Sequence, residues 1–468
     1  MSATARGPRR LSAEQRQALV AGLRGEESGA ASPELRDVLE AVRPRAASFD
    51  SLPGYEAIRI QMEFAGHLGL PVPFYRVHDA RAGVDTEFAG VRRVNFTSYD
   101  YLGLNAHPRI VEAVADAAAR WGTSVSASRL TSGERPFHAA FEGELASLYN
   151  AEAALTFVSG HATNLAVIGS IVDKADLIVH DALAHNSIVL GAEMSGAHRR
   201  GFAHNDLDAL DRLLAAQRGQ FRNCLIVTEG LFSMDGDGPD LARLVEIKRR
   251  HGAWLMIDEA HSLGVLGKTG RGLFEHAGVD PELVDIWMGT LSKTLVSCGG
   301  YVAGPKPLIE FLKYRAPGMV YSVGIPPTAC VASMTALDLM LTEPERVAAL
   351  QANGRRFLSR MTSRGLDSGN SWGAAIAPAL VGDSLLTVLL SEALIGRGFA
   401  AVPVIPPAVP EKHARLRFFL SAGHSEAEID GAVDALAEER ALLDKAGISL
   451  ASVAGQTIAD RAGDGFDA

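Results

Sequence analysis

Lys293 closes the run Asp285-Ile-Trp-Met-Gly-Thr-Leu-Ser-Lys293, in which an apolar stretch breaks into a small polar turn. The run Ala253-Trp-Leu-Met-Ile-Asp258, 35 residues upstream, ends the same way, in a carboxylate followed by Glu259-Ala260-His261. Read as neighbouring strands, the two runs bring an amine and a carboxylate to the same edge of a sheet. An amine that can form a Schiff base, beside an acid that keeps a pyridine nitrogen protonated, is the pair that pyridoxal phosphate chemistry requires. Burial behind Ile286, Trp287 and Met288 lowers the pKa of such a lysine, so that the neutral amine can react.

Other residues are spaced to complete such a site. Ser159-Gly160-His161-Ala162 lies between a strand-like and a helix-like segment, where backbone amides attract a phosphate and Gly160 permits close approach. Thr290 and Ser292 offer hydroxyls on the same side. His185, in Asp181-Ala-Leu-Ala-His185-Asn-Ser187, follows another strand and is placed to stack on the ring. His261 is placed to reach the ring's phenolic oxygen. A single histidine after a strand is commonly structural; several polar groups converging on one sheet edge favour a site. Arg415 and Arg417 alternate onto one face of an otherwise apolar strand. A guanidinium there either binds a carboxylate bidentately or closes an edge-strand salt bridge.

These residues need a frame. Ala153 to Val158 reads as a strand and Thr163 to Val172 as a helix. Asp176 to His180 and Asn223 to Thr228 read as strands, and Leu241 to His251 as a helix with Leu241, Leu244 and Val245 at helical spacing. Asn205 is expected to cap a helix from Asp206 to Ala215. Gly299 to Gly304 reads as a buried returning strand. The alternation predicts an α/β fold, a doubly wound, mostly parallel sheet with its ligand crevice at the carboxyl ends of the strands. After Pro326-Pro327 a helix, Thr328 to Leu341, leads to a smaller C-terminal α/β domain. The expected division is residues 1–100 as an N-terminal arm with helices, 101–325 as a large cofactor domain, 326–454 as the small domain and 455–468 as a disordered polar tail. In the arm, Ser12 to Gln15 fits a capping box, Ser32-Pro33 a helix start, and Leu35, Val38, Leu39 and Val42 an apolar stripe. That stripe packs on the chain's own body or a second subunit, or docks a carrier domain.

Composition narrows the classes. The 468 residues carry a net charge of −10, which argues against a nucleic-acid surface, and the short basic cluster Arg6 to Arg10 reads as a solvated tail. Three cysteines without CxxC spacing argue against a disulfide framework or zinc site and for the reduced cytoplasm. Cys298, near Lys293, reads as a small, partly buried residue. No metal site and no membrane span is expected: the most apolar stretch, Ala374 to Leu390, carries Pro378 and Asp383. The N-terminal arginines are followed by no apolar signal region.

With these motifs in hand, the chain resembles the α-oxoamine synthases, fold-type I pyridoxal phosphate enzymes that include 8-amino-7-oxononanoate synthase, 5-aminolevulinate synthase and serine palmitoyltransferase. The likeness runs from about Asn95 to His424. It is carried by Asn95-Phe-Thr-Ser-Tyr-Asp-Tyr-Leu-Gly-Leu104, Glu229-Gly-Leu-Phe-Ser-Met-Asp-Gly-Asp237, Asp258-Glu-Ala-His-Ser-Leu-Gly264, Thr290-Leu-Ser-Lys293, Tyr321-Ser322 and Arg415-Leu-Arg417. The resemblance implies Lys293 as the Schiff-base lysine, Asp258 as the pyridinium partner and His185 as the stacking histidine, these three being the catalytic candidates. It implies that His261 and Ser233 touch the phenolic oxygen, that Gly160, His161, Thr290 and a partner subunit's copy of Ser322 hold the phosphate, and that Arg417 takes an amino-acid carboxylate.

Tyr99 stands where the biotin and aminolevulinate enzymes have asparagine, as in the serine palmitoyltransferase branch, and is a candidate substrate contact. Thr123 to Arg135 looks like the segment of synthases found beside polyketide or fatty-acid carrier proteins, which points away from pimeloyl-CoA. His161 departs from the usual aromatic residue at the phosphate turn. The implied reaction is a decarboxylative Claisen condensation of alanine, glycine or serine with a CoA or acyl-carrier-protein thioester, in a homodimer. An aminotransferase on the same fold and a non-catalytic synthase subunit are the alternatives.

Overall fold

A computed structural model describes residues 48–451 apart from Leu68 and Leu70. The expected capping box, helix start and apolar stripe between Ser12 and Val42, and the tail from Gly455, lie outside the described residues. The chain divides into two compact units, Met1–Phe74 and Tyr75–Ala468. In the first, a short turn at Phe49–Ser51 is capped by Ser48 and precedes the helix Tyr55–His67.

The second unit holds the strands β1 (Asp85–Phe88), β2 (Val91–Asn95), β3 (Ala153–Phe157), β4 (Leu177–Asp181), β5 (His198–Phe202), β6 (Cys224–Glu229), β7 (Trp254–Asp258), β8 (Ile286–Thr290), β9 (Gly300–Gly304), β10 (Ile376–Leu380), β11 (Phe399–Ala400), β12 (Val402–Val404) and β13 (Arg415–Phe419). Seven form the central sheet in the order β3-β9-β8-β7-β6-β4-β5. All pairs are parallel except those of β9, which runs antiparallel to β3 and β8, as expected of the returning strand.

The sheet forms because β4, β6 and β8 are buried along their whole length, so both faces must be covered. Alternate residues feed two cores. Leu177, Val179, Ile226, Leu255, Ile257 and Trp287 face one. Ile178, Leu225, Val227, Met256, Ile286 and Met288 face the other. Parallel strand direction then carries Asp181, Glu229, Asp258 and Thr290, each the last residue of its strand, to one edge of the sheet.

Two small sheets complete the unit. Strands β10 and β12 flank β13 antiparallel on either side. Strand β2 pairs with both β1 and β11. Residues 85–95 therefore join a sheet with Phe399–Ala400, far along the chain. The helix Pro327–Thr342 takes the second proline of the Pro326-Pro327 pair as its first residue, and the helix Glu426–Ala446 begins at a Ser425–Glu428 capping box.

Two local expectations are corrected. The helix Leu207–Gln217 is capped by Asp206, whose side chain accepts the Ala209 N–H, and not by Asn205. Asn205 instead adopts φ of 54° and donates its amide to Asp237. Asparagine tolerates that left-handed conformation better than most residues. Cys298 is exposed rather than partly buried, because it sits in the loop between β8 and β9.

Candidate active site

Lys293 sits on a tight loop after β8. Leu291 and Gly299 close the loop through a 2.9 Å backbone hydrogen bond, and Val296 N–H donates to the Lys293 carbonyl at 2.9 Å. Val296 has φ of 44°, a strained value for a β-branched residue, so the surroundings must hold the loop in place. One such support is Thr294, whose hydroxyl donates to Leu263 O at 2.7 Å and ties the lysine loop to the segment after Asp258. Burial lowers the Lys293 pKa to about 8. Asp258 and Glu229 oppose that shift, and Arg417 adds to it. A substantial fraction of the amine is therefore neutral near physiological pH.

Asp258 is buried and held at both oxygens. Asn164 donates to Oδ2 at 2.8 Å and Ala260 N–H to Oδ1 at 2.9 Å. Asn164 also donates to Ser187 Oγ at 2.9 Å, and Ser187 Oγ lies 2.7 Å from His185 Nδ1. A short polar chain thus links the carboxylate to the His185 ring. The His185 backbone N–H donates to Glu229 Oε1 at 2.7 Å. Burial lowers the His185 pKa, as do Lys293 and His161, while Asp258 opposes them.

His261 is buried with Nδ1 2.7 Å from the Tyr101 hydroxyl, and its ring stacks over Phe419 at 6.4 Å. Burial holds it neutral, well below the ordinary histidine pKa. Tyr99 stands edge-on to both His261 and Phe419, and its ring centroid is 5.8 Å from Lys293 Nζ. Tyr99 and Lys293 line a cavity of about 390 Å³ together with His78, Thr97, Ser98 and Ser292.

The two arginines of β13 divide their roles. The strand is the centre of its sheet, so neither sits on an edge. Arg415 takes the salt-bridge alternative, though not at an edge, pairing with Asp235 at 2.6 Å. Among the described residues, Arg417 has no carboxylate partner. One of its amines donates to Ser233 O at 3.2 Å, its guanidinium lies 4.5 Å over the Phe419 ring, and its buried Nε has no acceptor. A half-buried guanidinium with no carboxylate partner among the described residues is matched to an incoming carboxylate.

At the phosphate turn, the Ser159 hydroxyl accepts the Ala162 N–H at 3.0 Å and caps the helix Gly160–Ile171, which leaves the amides of Gly160 and His161 without helical partners. A Cβ on Gly160 would stand 2.7 Å from Thr290 Oγ1, so only glycine lets the helix end approach that hydroxyl. The His161 ring lies 6.4 Å from that of His185. These features fit pyridoxal 5′-phosphate: free amides and a hydroxyl for the phosphate, a held carboxylate for the ring nitrogen, an amine of lowered pKa for the aldehyde. Ser322 is the candidate that the single chain leaves apart. Its hydroxyl donates to Val323 O, and it makes no hydrogen bond to the cluster. Sequence reasoning gave no role to Asn164, Ser187, Glu229, Tyr101 or Phe419. Ser187, Glu229 and Tyr101 fall within runs already singled out, Phe419 lies two residues past Arg417, and Asn164 shows no signal beyond its helix.

Comparison with known proteins agrees with this geometry. Residues 92–436 match the family model "Aminotransferase class I and II". An 8-amino-7-oxononanoate synthase of Methylobacterium nodulans is 42% identical over 367 residues, 78% of this chain and 91% of the relative. The structure of serine palmitoyltransferase from Sphingomonas wittichii superposes with a TM-score of 0.80 at 28% identity, over 84% of this chain and 98% of that one. The 8-amino-7-oxononanoate synthase of Francisella tularensis does so with a TM-score of 0.65 at 26% identity, over 74% and 97%. The chain belongs to the class I and II aminotransferase family, as a pyridoxal 5′-phosphate-dependent, acyl-transferring enzyme of its α-oxoamine synthase group. Among the described residues, no helix is long and apolar enough to cross a membrane.

Proposed function

We propose that the protein condenses a small amino acid (glycine, alanine or serine) with an acyl thioester, releasing CO2 and the free thiol and leaving an α-aminoketone. In the overall reaction a carbon–carbon bond forms between the amino acid's α-carbon and the acyl carbonyl carbon, the carbon–sulfur bond breaks, and the carboxylate departs as CO2. The observation that carries the reading is the convergence of Lys293, Asp258 and an Arg417 that has no carboxylate partner among the described residues, with Lys293 lining a cavity.

Pyridoxal 5′-phosphate, when bound, supplies an electron sink for charge developing at the amino acid's α-carbon. Gly160, His161 and Thr290 would hold its phosphate, and Ser233 and His261 its phenolic side. Asp258 Oδ2 would keep a proton at the ring nitrogen. Arg417 orients the substrate carboxylate through paired N–H donors. Lys293 Nζ, once free, takes the α-proton and returns it at the end, which its lowered pKa permits. His185 covers the reacting face and offers a donor to oxygen charge on the thioester. Tyr99 and the neighbouring cavity exclude water from the amine and admit the acyl group.

Further parts of the reading follow from the resemblance. The donor is a carrier-protein thioester rather than a CoA ester, the protein works in the cytoplasm, and the assembly is a homodimer. The exposed Tyr321 and Val323, with half-buried Ser322 between them, would then lie against the partner, so that the partner's copy of Ser322 reaches the phosphate. The 42% identity to an 8-amino-7-oxononanoate synthase favours a second reading, in which the donor is the one used by that relative.

Mass spectrometry of products from each amino acid mixed with CoA and carrier-bound thioesters tests the reading. An aminoketone with one equivalent each of CO2 and thiol is expected. Amino-group transfer to a keto acid without CO2 release would indicate an aminotransferase, and no cofactor uptake a non-catalytic subunit. Product from pimeloyl thioester alone would establish the second reading.

A further inference from the structure

His204 lies outside the cluster described above, yet both its ring nitrogens are engaged by carboxylates. Nδ1 is 2.9 Å from Asp181 Oδ1 and Nε2 is 3.0 Å from Asp237 Oδ2. Asp181 is fully buried at the end of β4, where it opens the turn that leads to His185. Its Oδ1 also accepts Leu183 N–H and its Oδ2 accepts Asn205 N–H, each at 2.8 Å. Asp237 is buried at the far end of the loop after β6. It accepts the Asn205 side-chain amide at 3.2 Å, and its carbonyl accepts Phe232 N–H at 2.8 Å. The Phe232 ring meets His204 edge-on at 4.5 Å.

That loop supplies Ser233 O to Arg417, and Met234 O and the Asp235 carboxylate to Arg415. One imidazole therefore ties the turn that presents His185 to the loop that contacts both β13 arginines. We propose that His204 is a positioning residue, a doubly charged-paired clamp that fixes the His185 turn against the Ser233 loop. Both nitrogens must carry protons to donate to two carboxylates. The pairing with Asp181 and Asp237 outweighs burial and pushes the His204 pKa up to about 10, so the clamp stays closed through the physiological range. Without it, two buried carboxylates would face each other across the gap with one positive charge fewer.

The catalytic consequence rests on the proposed role of His185; the clamp itself does not. Asparagine places an amide where Nδ1 stands and glutamine where Nε2 stands, so H204N keeps only Asp181 and H204Q keeps only Asp237. Hydrogen exchange of the cofactor-free protein tests the clamp directly. Peptides covering 181–188 and 230–237 are expected to exchange about tenfold or more faster in both variants, with Leu225 to Glu229 and Leu255 to Asp258 unchanged. In the cofactor-loaded enzyme kcat is expected to fall about ten- to a hundredfold, with both KM values within about threefold.

In a His185→Ala background the same substitutions should cost no further activity, because they act through His185. Wild-type exchange at both segments in either variant overturns the clamp. Additive loss in the double variant overturns its action through His185. If neither variant folds, Asp237→Asn removes one charge at nearly constant shape and carries the same exchange test. The exchange result stands whether or not the condensation is found, so the two readings fail separately.

Discussion

Glu229 and Asp258 face each other in register at the ends of adjacent parallel strands, and Glu229 holds the backbone of His185. Burial, with the Asp258 charge beside it, raises the Glu229 pKa well above the ordinary carboxylate range. Burial thus favours the uncharged form of Glu229, whose Oε1 accepts the His185 N–H. Glutamine retains that acceptor at the same shape, so Glu229→Gln should keep kcat within about threefold of wild type. Glu229→Leu leaves the N–H unsatisfied in a dry site, about 1–3 kcal/mol, and should lower kcat and the melting temperature together. Steady-state rates and thermal melts of both variants check this.

Asp258 is held by Asn164 at Oδ2 and by Ala260 at Oδ1. Asp258→Asn removes the charge that would keep a ring proton in place while preserving volume. The expected result is a loss of about 10²–10³ in kcat, in the range measured for removing one preorganised electrostatic group. Cofactor uptake, followed by equilibrium dialysis, should survive, because the phosphate contacts lie elsewhere.

The free Nε of Arg417 predicts a split between the two substrates. Lysine there keeps the charge and loses the planar fork, so Arg417→Lys should lower kcat/KM for the amino acid by about 10- to 100-fold, as loss of a charge-assisted hydrogen bond does. KM for the thioester should not change. Initial-rate kinetics with each substrate varied in turn measure both.

Lys293 links the site to stability. Its folded pKa is about 8, below the usual 10.5, with burial as the main cause. Between those values the unfolded chain binds more protons than the folded one, so this residue's contribution makes stability rise with pH across that window. Lys293→Met has no proton to bind. In the cofactor-free proteins, the stability of wild type relative to Lys293→Met should therefore improve from pH 8 to 10.5. Denaturant titrations at several pH values read it out.

The sheet was legible because parallel strands buried on both faces leave unbroken apolar runs that end in chemistry-bearing residues, as at Asp258 and Thr290. Lys293, Asp258 and His185 stand out as candidates for that reason: each lies at or just past a strand end. The partners that hold them do not. Asn164 lies inside a helix, and only the fold brings it to Asp258, 94 residues away. The cap of the helix Leu207–Gln217 was misassigned because Asn205 and Asp206 are both good cap residues. Tertiary demand decided between them, drawing Asn205 to Asp237. The pairing of residues 85–95 with Phe399–Ala400 is likewise a long-range contact that no local periodicity announces.

Borohydride reduction of the cofactor-loaded protein, followed by proteolysis and mass spectrometry, tests the central claim most directly. The account predicts one pyridoxyl adduct, on the peptide containing Lys293, and no reducible adduct in Lys293→Ala. An adduct on a different lysine, or none in a protein that nonetheless turns over both substrates, would contradict it.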